Sequence, residues 1–218
     1  MKTVLYEKDG LIGRVTLNRP EKLNAINDDM PRDLEEAITL ANDDPDVSVI
    51  ILSGNGKAFC SGYDLSEYAQ GNESNKFTQK MPWDPIKDYQ TMWNDTQHFM
   101  SIWKSLKPVI CKVHGFAIAG GSDIALCSDM IIMADNAEIG YMPSRVWGTP
   151  TTAMWVHRIG PEKAKKMLFT GDKINGKEAE KIGLVLESVS PANLDERVET
   201  LANSCLLYTS PSPRDGQI

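Results

Sequence analysis

Two short stretches carry the residue types and spacing best suited to chemistry. "CSGYDL" (60–65) and "AIAGGSDIAL" (117–126) each leave an apolar run, pass through glycine and meet an aspartate beside a helical pattern. Glycine lets the backbone approach a ligand closely and admits positive φ. A helix start offers N–H groups without intrahelical partners, at the positive end of the helix dipole. Two such groups aimed at one carbonyl oxygen make an oxyanion hole. It stabilises the enolate formed when a proton leaves, or a nucleophile adds, beside that carbonyl. Asp123 puts a carboxylate just behind Gly120 and Gly121. Either stretch alone also reads as an ordinary strand–turn–helix corner. The two together, in this order, favour the ligand reading.

Other chemistries fit less well. Ser122, His114 and Asp123 suggest a Ser–His–Asp hydrolase, but G-x-S-x-G is absent and adjacent side chains diverge along a helix or strand. His114 ends a strand and is read as a hydrogen-bonded structural histidine in preference to an acid/base group. His98 and His157 fall in helical patterns without a ligand set, so no metal is expected. Neither G-x-G-x-x-G nor a P-loop is present, so neither a Rossmann cofactor nor nucleotide hydrolysis is implied.

The elements that must hold these residues follow from hydrophobic patterning. "VLYEKDGLIGRVTLN" gives two strands about Asp9-Gly10. "RPEKLNAI" is a polar loop. Met30, Leu34, Ala37, Ile38 and Ala41 have helical spacing, with Pro31 in the first turn. "VSVIILSG" is a strand covered on both faces. Residues 70–88 carry Pro82 and Pro85 and read as a loop, and a helix follows from Tyr89 to Trp103. "KPVICKVHG" and "DMIIMAD" are strands around the second glycine corner. "GTPTTAMWVHRIG" and "PEKAKKMLFTG" read as helices, "NGKEAEKIGLVLESV" as a helix running into a strand, and "NLDERVETLANSC" as a helix. This alternation argues α/β with crossover connections. No sequence repeat of fixed period is visible.

The 218 residues fit one domain of ordinary globular composition, 41% hydrophobic and 24% charged. A net charge of −7 argues against a broad nucleic-acid surface. Cys60, Cys111, Cys127 and Cys205 form no C-x-x-C pair and read as buried free thiols of a reducing compartment. No signal peptide and no membrane span is visible, so a cytoplasmic location is expected. Residues 1–204 read as the folded domain. Residues 205–218, ending "SPSPRDGQI", read as a disordered or non-native tail, similar to the translated read-through of a sequencing adaptor. The natural protein is expected to be longer.

"VTLNRPEKLNAI" (15–26), "KAFCSGYDL" (57–65), "KPVICKVHGFAIAGGSDIALCSD" (107–129), "AEIGYMPSRVWGTP" (137–150) and "LFTGDKINGKEAEKIGLV" (168–185) occur in an order and spacing that resemble the enoyl-CoA hydratase/isomerase (crotonase) family over nearly all of residues 1–204. The resemblance implies a crotonase-type ββα spiral core with flanking helices, the C-terminal helices being truncated here. It implies an acyl-CoA thioester as substrate, with coenzyme A part of that substrate and no separate cofactor. The oxyanion-hole donors would be the backbone N–H groups of Tyr63 and Gly120. Lys22, Leu23, Asn24 and Ala25 would line the coenzyme A groove, with Lys22 equally readable as a solvated lysine. Ser61, Gly62, Asp64, Leu65 and Gly121 fall in the same substrate-binding motifs, although Asp64 reads better as a helix-start cap than as a catalyst. Trp83, Tyr89, Trp93 and Trp103 surround a variable loop. Some would line an acyl pocket, and most read as core. Family members are usually trimers or dimers of trimers, so a homotrimer or hexamer is expected when the C-terminus is complete.

The chain departs from the family at the two glutamates with which its hydratases hold water. Asp123 stands at the first position, one methylene shorter. At the second, alignment on Pro143 and Gly148 requires one extra residue and puts Ser144 there; serine is no carboxylate base. Ser144 would at most position water. Arg145, beside it, reads as exposed. The first reading is therefore a hydratase-like enzyme working through Asp123. The alternatives are a double-bond isomerase with Asp123 as sole acid/base, and a non-catalytic acyl-CoA-binding protein.

Overall fold

The computed structural model describes residues 1–68, 79–145, 148 and 150–209. Strands β1 (Val4–Asp9) and β2 (Ile12–Leu17) pair antiparallel about Gly10, whose φ of +59° suits the turn. Helix α1 (Met30–Asp43) buries Leu34, Ala37, Ile38 and Ala41 along one stripe. Strands β3 (Val49–Gly54), β4 (Val109–Val113), β6 (Met130–Ala134) and β9 (Glu187–Val189) extend the sheet in parallel, in the order β1-β2-β3-β4-β6-β9. Val49, Ile50, Ile51 and Leu52 are all buried, as a continuously apolar parallel strand requires.

A second sheet, β5-β7-β8, joins β5 (Phe116–Ile118), β7 (Glu138–Gly140) and β8 (Lys173–Asn175). The sequence pattern misses β7 and β8 because three residues are too few for periodicity to register. Helices α2 (Leu65–Tyr68), α3 (Pro85–Trp103), α4 (Gly120–Leu126), α5 (Met154–Thr170), α6 (Gly176–Lys181) and α7 (Leu194–Thr209) complete the α/β architecture.

Three boundaries differ from the sequence reading. The 70–88 segment is not loop throughout: α3 starts at Pro85, where proline suits the first turn and the Asp84 carboxylate accepts from Ile86 N–H at 3.0 Å. Residues 70–78 of that segment lie outside the described residues. The helix read from "GTPTTAMWVHRIG" starts only at Met154, and Gly160 (φ +72°) interrupts it where two helices are read. Helix α7 continues past residue 204 to Thr209, because Cys205 and Leu206 still pack against the core; residues 210–218 lie outside the described residues. Among the described residues no helix is long and apolar enough to cross a membrane.

Candidate active site

The two glycine corners lie side by side. Cys60 N–H donates to the Phe116 carbonyl at 2.8 Å, and Ile118 N–H returns to the Cys60 carbonyl at 3.0 Å. A Cβ on Gly62, at φ +93°, would lie 2.9 Å from both Ala119 Cβ and the Ile118 oxygen. A Cβ on Gly120 would lie 2.7 Å from Ile26 Cδ1 and 3.0 Å from the Tyr63 ring. Glycine is therefore required for contact between the corners, which is what places the Tyr63 ring over Gly120.

Ala119 makes the turn into α4 at φ 53°, ψ −124°, a conformation that an L residue adopts only under strain. As the first residue of α4, Gly120 has no intrahelical acceptor for its N–H. Ser122 and Asp123 N–H groups both return to the Ala119 carbonyl, at 2.9 and 3.2 Å. Gly121 packs against the Cys60 backbone, where a Cβ would come within 2.5 Å of the carbonyl oxygen.

Residues 19–26 form a third wall. Leu23 and Asn24 are both left-handed, at φ 51° and 54°. Asn24 is fully buried: its Oδ1 accepts from Arg19 N–H at 2.7 Å, and its Nδ2 donates to the Asn55 and Ala58 carbonyls at 2.9 and 2.8 Å. Leu23 accepts from Ser61 N–H at 3.1 Å, and Ile26 N–H donates to the Gly62 carbonyl at 2.8 Å. Arg19 also spans the joint, pairing with Asp64 at 3.0 Å and donating to the Ala25 carbonyl. Asp64 accepts from Ser66 N–H at 3.0 Å, the geometry of a helix-start cap. Burial works against its charge, but the Ser66 hydrogen bonds and Arg19 outweigh that and hold its carboxyl below the usual range. Lys22 and Leu65 are exposed, with Lys22 Nζ 3.2 Å from Ser66 Oγ.

Asp123 sits in the first turn of α4 and is 1% exposed. Burial pushes its carboxyl up to about 7, against the opposing pull of the Thr152 hydroxyl, which donates at 3.2 Å, and the Thr151 N–H. Its charge acts in turn on the phenols of Tyr63 and Tyr141. The Tyr63 hydroxyl donates to buried Asp95 of α3 at 3.1 Å. Burial first, and Asp95 second, hold that phenol well above its ordinary range, so it stays protonated. Thr151, Thr152 and Asp95 are absent from the sequence-based site. The first two are hidden within an apparent helix, where only Pro150 hints at a break. Asp95 reads as one polar residue of an amphipathic helix.

The structure does not bring Ser144 to Asp123 by hydrogen bond. Ser144 lies on a 3₁₀ turn, Met142–Arg145; its hydroxyl donates to the Tyr141 carbonyl at 2.9 Å and faces Gly171. Arg145 points outward, pairing with Asp172 at 2.7 Å. His114 Nε2 lies 2.9 Å from the Gly56 carbonyl, His98 pairs with Glu35 at 2.7 Å, and His157 stacks edge-on against Trp103. The expectation that most of the four aromatics are core is wrong: Trp83, Tyr89, Trp93 and Trp103 are 58, 65, 50 and 40% exposed, because Trp83 precedes α3 and α3 turns the other three outward. Cys60, Cys111 and Cys127 are buried free thiols, but Cys205 is only half-buried. Burial pushes Cys60 and Cys127 up to about 12, so neither is a nucleophile.

Residues 7–210 match a family model described as enoyl-CoA hydratase/isomerase. The chain is 33% identical to the crotonyl-CoA hydratase of Syntrophomonas wolfei, over 94% of this chain and 76% of that protein. It is 33% identical to the short-chain-enoyl-CoA hydratase of Clostridium acetobutylicum, over 93% and 75%. Its fold superposes on the crystal structure of enoyl-CoA hydratase from Mycobacterium smegmatis with TM-score 0.86 and 44% identity, covering 94% of this chain and 72% of that one. With the paired glycine corners, this agreement over almost the whole chain establishes that it belongs to the enoyl-CoA hydratase/isomerase family.

Proposed function

We propose that this protein adds water across the double bond of a 2-enoyl-CoA thioester. The observation that carries this reading is a buried, near-neutral carboxyl, Asp123, one turn into the helix that Gly120 begins, with the Tyr63 corner packed against that start. In this reading the thioester carbonyl oxygen lies between the Tyr63 and Gly120 N–H groups. Asp123 takes a proton from water as the C–O bond forms at Cβ and the π electrons pass to the carbonyl oxygen. The enolate then collapses, and the same proton passes from Asp123 to Cα. One carboxyl serves both halves of the addition because it titrates near neutrality. The hydratase names of the relatives support this reaction.

Coenzyme A enters as part of the substrate, along the wall formed by Lys22, Leu23, Asn24 and Ala25, with Ser61, Gly62, Asp64, Leu65 and Gly121 shaping the corner beside it. Asn24 and Asp64 act there through the backbone they hold. Ser144 has no proton-transfer role in this reading, because its hydroxyl is given to the Tyr141 carbonyl. Assembly as a homotrimer or hexamer is inferred from the family resemblance, and light scattering measures it.

The test is incubation with 2- and 3-enoyl-CoA thioesters in deuterium oxide, following the acyl mass. Gain of heavy water by a 2-enoyl thioester is expected. Deuterium uptake without water addition would replace the hydratase by an isomerase. Binding without any change in mass would leave a binding protein.

A further inference from the structure

Holding a water for attack on Cβ takes two acceptors, one for the proton that leaves and one for the hydrogen that stays. Asp123 is the first. Ser144 does not supply the second, because its hydroxyl is given to the Tyr141 carbonyl. Buried polar atoms are almost always hydrogen-bonded, so one without a partner calls for an explanation. Among the described residues these atoms are the Tyr6 hydroxyl, His114 Nδ1, Trp155 Nε1 and Thr151 Oγ1. Tyr6 packs beside Gly13 in the first hairpin, and the other ring nitrogen of His114 is already held by the Gly56 carbonyl. Trp155 lies within α5 and is 1% exposed. Thr151 differs from these because it flanks the base. Its chain neighbour Thr152 donates to Asp123 Oδ1 at 3.2 Å, and its own N–H acts on the same carboxyl. In any staggered rotamer a threonine Oγ1 lies within about 3.7 Å of its own nitrogen. The orphan hydroxyl is thereby confined to the surroundings of Asp123.

Resting on the hydratase reading, we propose that the Thr151 hydroxyl is the second group that holds the water deprotonated by Asp123. The water directs one hydrogen to the Asp123 carboxylate and the other to Thr151 Oγ1, an oxygen with two lone pairs. A lone pair of the water is left to form the C–O bond at Cβ. The hydrogen on Thr151 then stays with the new hydroxyl of the product, while the other passes through Asp123 to Cα. Thr151 itself neither gains nor loses a proton. An uncharged acceptor thus stands in for the second carboxylate. The bend at 151–153 divides the work between its two threonines. Thr152 bonds to the base, and Thr151 orients the nucleophile.

The experiment compares wild type, Thr151→Val and Thr151→Ser in steady-state hydration of crotonyl-CoA, with butanoyl-CoA binding measured by calorimetry and melting temperature recorded for each. Valine keeps the shape of threonine and removes only the hydroxyl. Thr151→Val is expected to lose about tenfold or more in kcat, while butanoyl-CoA affinity stays within about twofold. Its melting temperature is expected not to fall, because a buried hydroxyl without a partner costs stability that a methyl does not. Thr151→Ser keeps the hydroxyl and is expected to hold kcat within about threefold of wild type. If wild type hydrates crotonyl-CoA and Thr151→Val keeps kcat within about twofold, the assignment of Thr151 is overturned while the proposed function stands. Parallel loss of kcat, butanoyl-CoA affinity and melting temperature in Thr151→Val would also overturn it, by making the hydroxyl structural. So would a Thr151→Ser as slow as Thr151→Val. If wild type hydrates no enoyl thioester, the proposed function fails first, and the water with it.

Discussion

The proposed reaction concentrates its proton transfers in one carboxyl, that of Asp123. Its titration is set by burial against the Thr152 hydroxyl and the Thr151 N–H, and its charge acts on Cys127 and on the phenols of Tyr63 and Tyr141. A base that must be ionised gives a kcat/KM that rises with pH and levels off, with its midpoint near the carboxyl's value of about 7. Asp123→Asn should lower kcat by about 10²–10⁴ while thioester affinity is retained. Thr152→Val removes the hydroxyl that favours the charged form, so the midpoint should move to higher pH, and Thr152→Ser should restore it. A pH–rate profile of the three proteins reads both effects, and an unchanged midpoint in Thr152→Val would remove Thr152 from the site.

The corner elements owe their geometry to backbone strain and close contact more than to propensity. Ala119 holds φ 53° with ψ −124° between β5 and α4, where glycine would sit without a Cβ penalty. Ala119→Gly should raise stability by about 1 kcal/mol in urea unfolding if relief of strain exceeds the entropy lost by the unfolded chain. Gly62→Ala should do the reverse, since its Cβ would press on Ala119 and the Ile118 carbonyl at φ +93°. A cost of about 2 kcal/mol or more is expected, with a fall in kcat because the Tyr63 N–H shifts with the corner. Arg19 is the joint between the 19–26 wall and the 60–65 corner. Arg19→Met leaves the Asp64 carboxylate buried without its partner, and a loss of about 3–5 kcal/mol is expected on denaturation.

At the scale of the whole molecule, the same carboxyls set how stability follows pH. The folded state raises Asp123 from 3.8 to about 7, so its contribution is fully present below about pH 4 and is lost as pH rises through about 7. The loss corresponds to about 4 kcal/mol. Asp123→Asn should therefore raise the melting temperature at pH 8 and leave it nearly unchanged at pH 4, where both forms are neutral. Asp33 and Asp64 act in the opposite sense. Burial opposes their ionisation, but the Thr3 and Lys2 hydrogen bonds to Asp33, and those of Ser66 and Arg19 to Asp64, lower both. Their contribution is present above the ordinary carboxylate range and disappears as pH falls through their lowered values. The wild-type stability curve should thus fall on both sides of a mildly acidic optimum, and calorimetry across pH would measure it.

The chain by itself determines the family, the order of the long elements and the two corners. Continuous apolar runs such as Val49–Leu52 and the helical stripe of α1 are local patterns, and glycine at 62, 120 and 121 is a local demand for space. Asp123 is legible for the same reason, lying three residues beyond the first glycine of its helix. Two short strands escape periodicity, and the outward turn of the α3 aromatics is not encoded in their spacing, since a stripe does not say which face meets the core. Tertiary structure alone decides the partners of Asp123. Thr152 is twenty-nine residues away and belongs to a bend that the sequence pattern merges into a helix. It also decides that Asp95 meets Tyr63 across thirty-two residues of chain, and that Ser144 turns to the carbonyl of Tyr141. A hydrogen bond depends on where two atoms end up in space, and for residues from different elements that is fixed only when the sheets and helices pack.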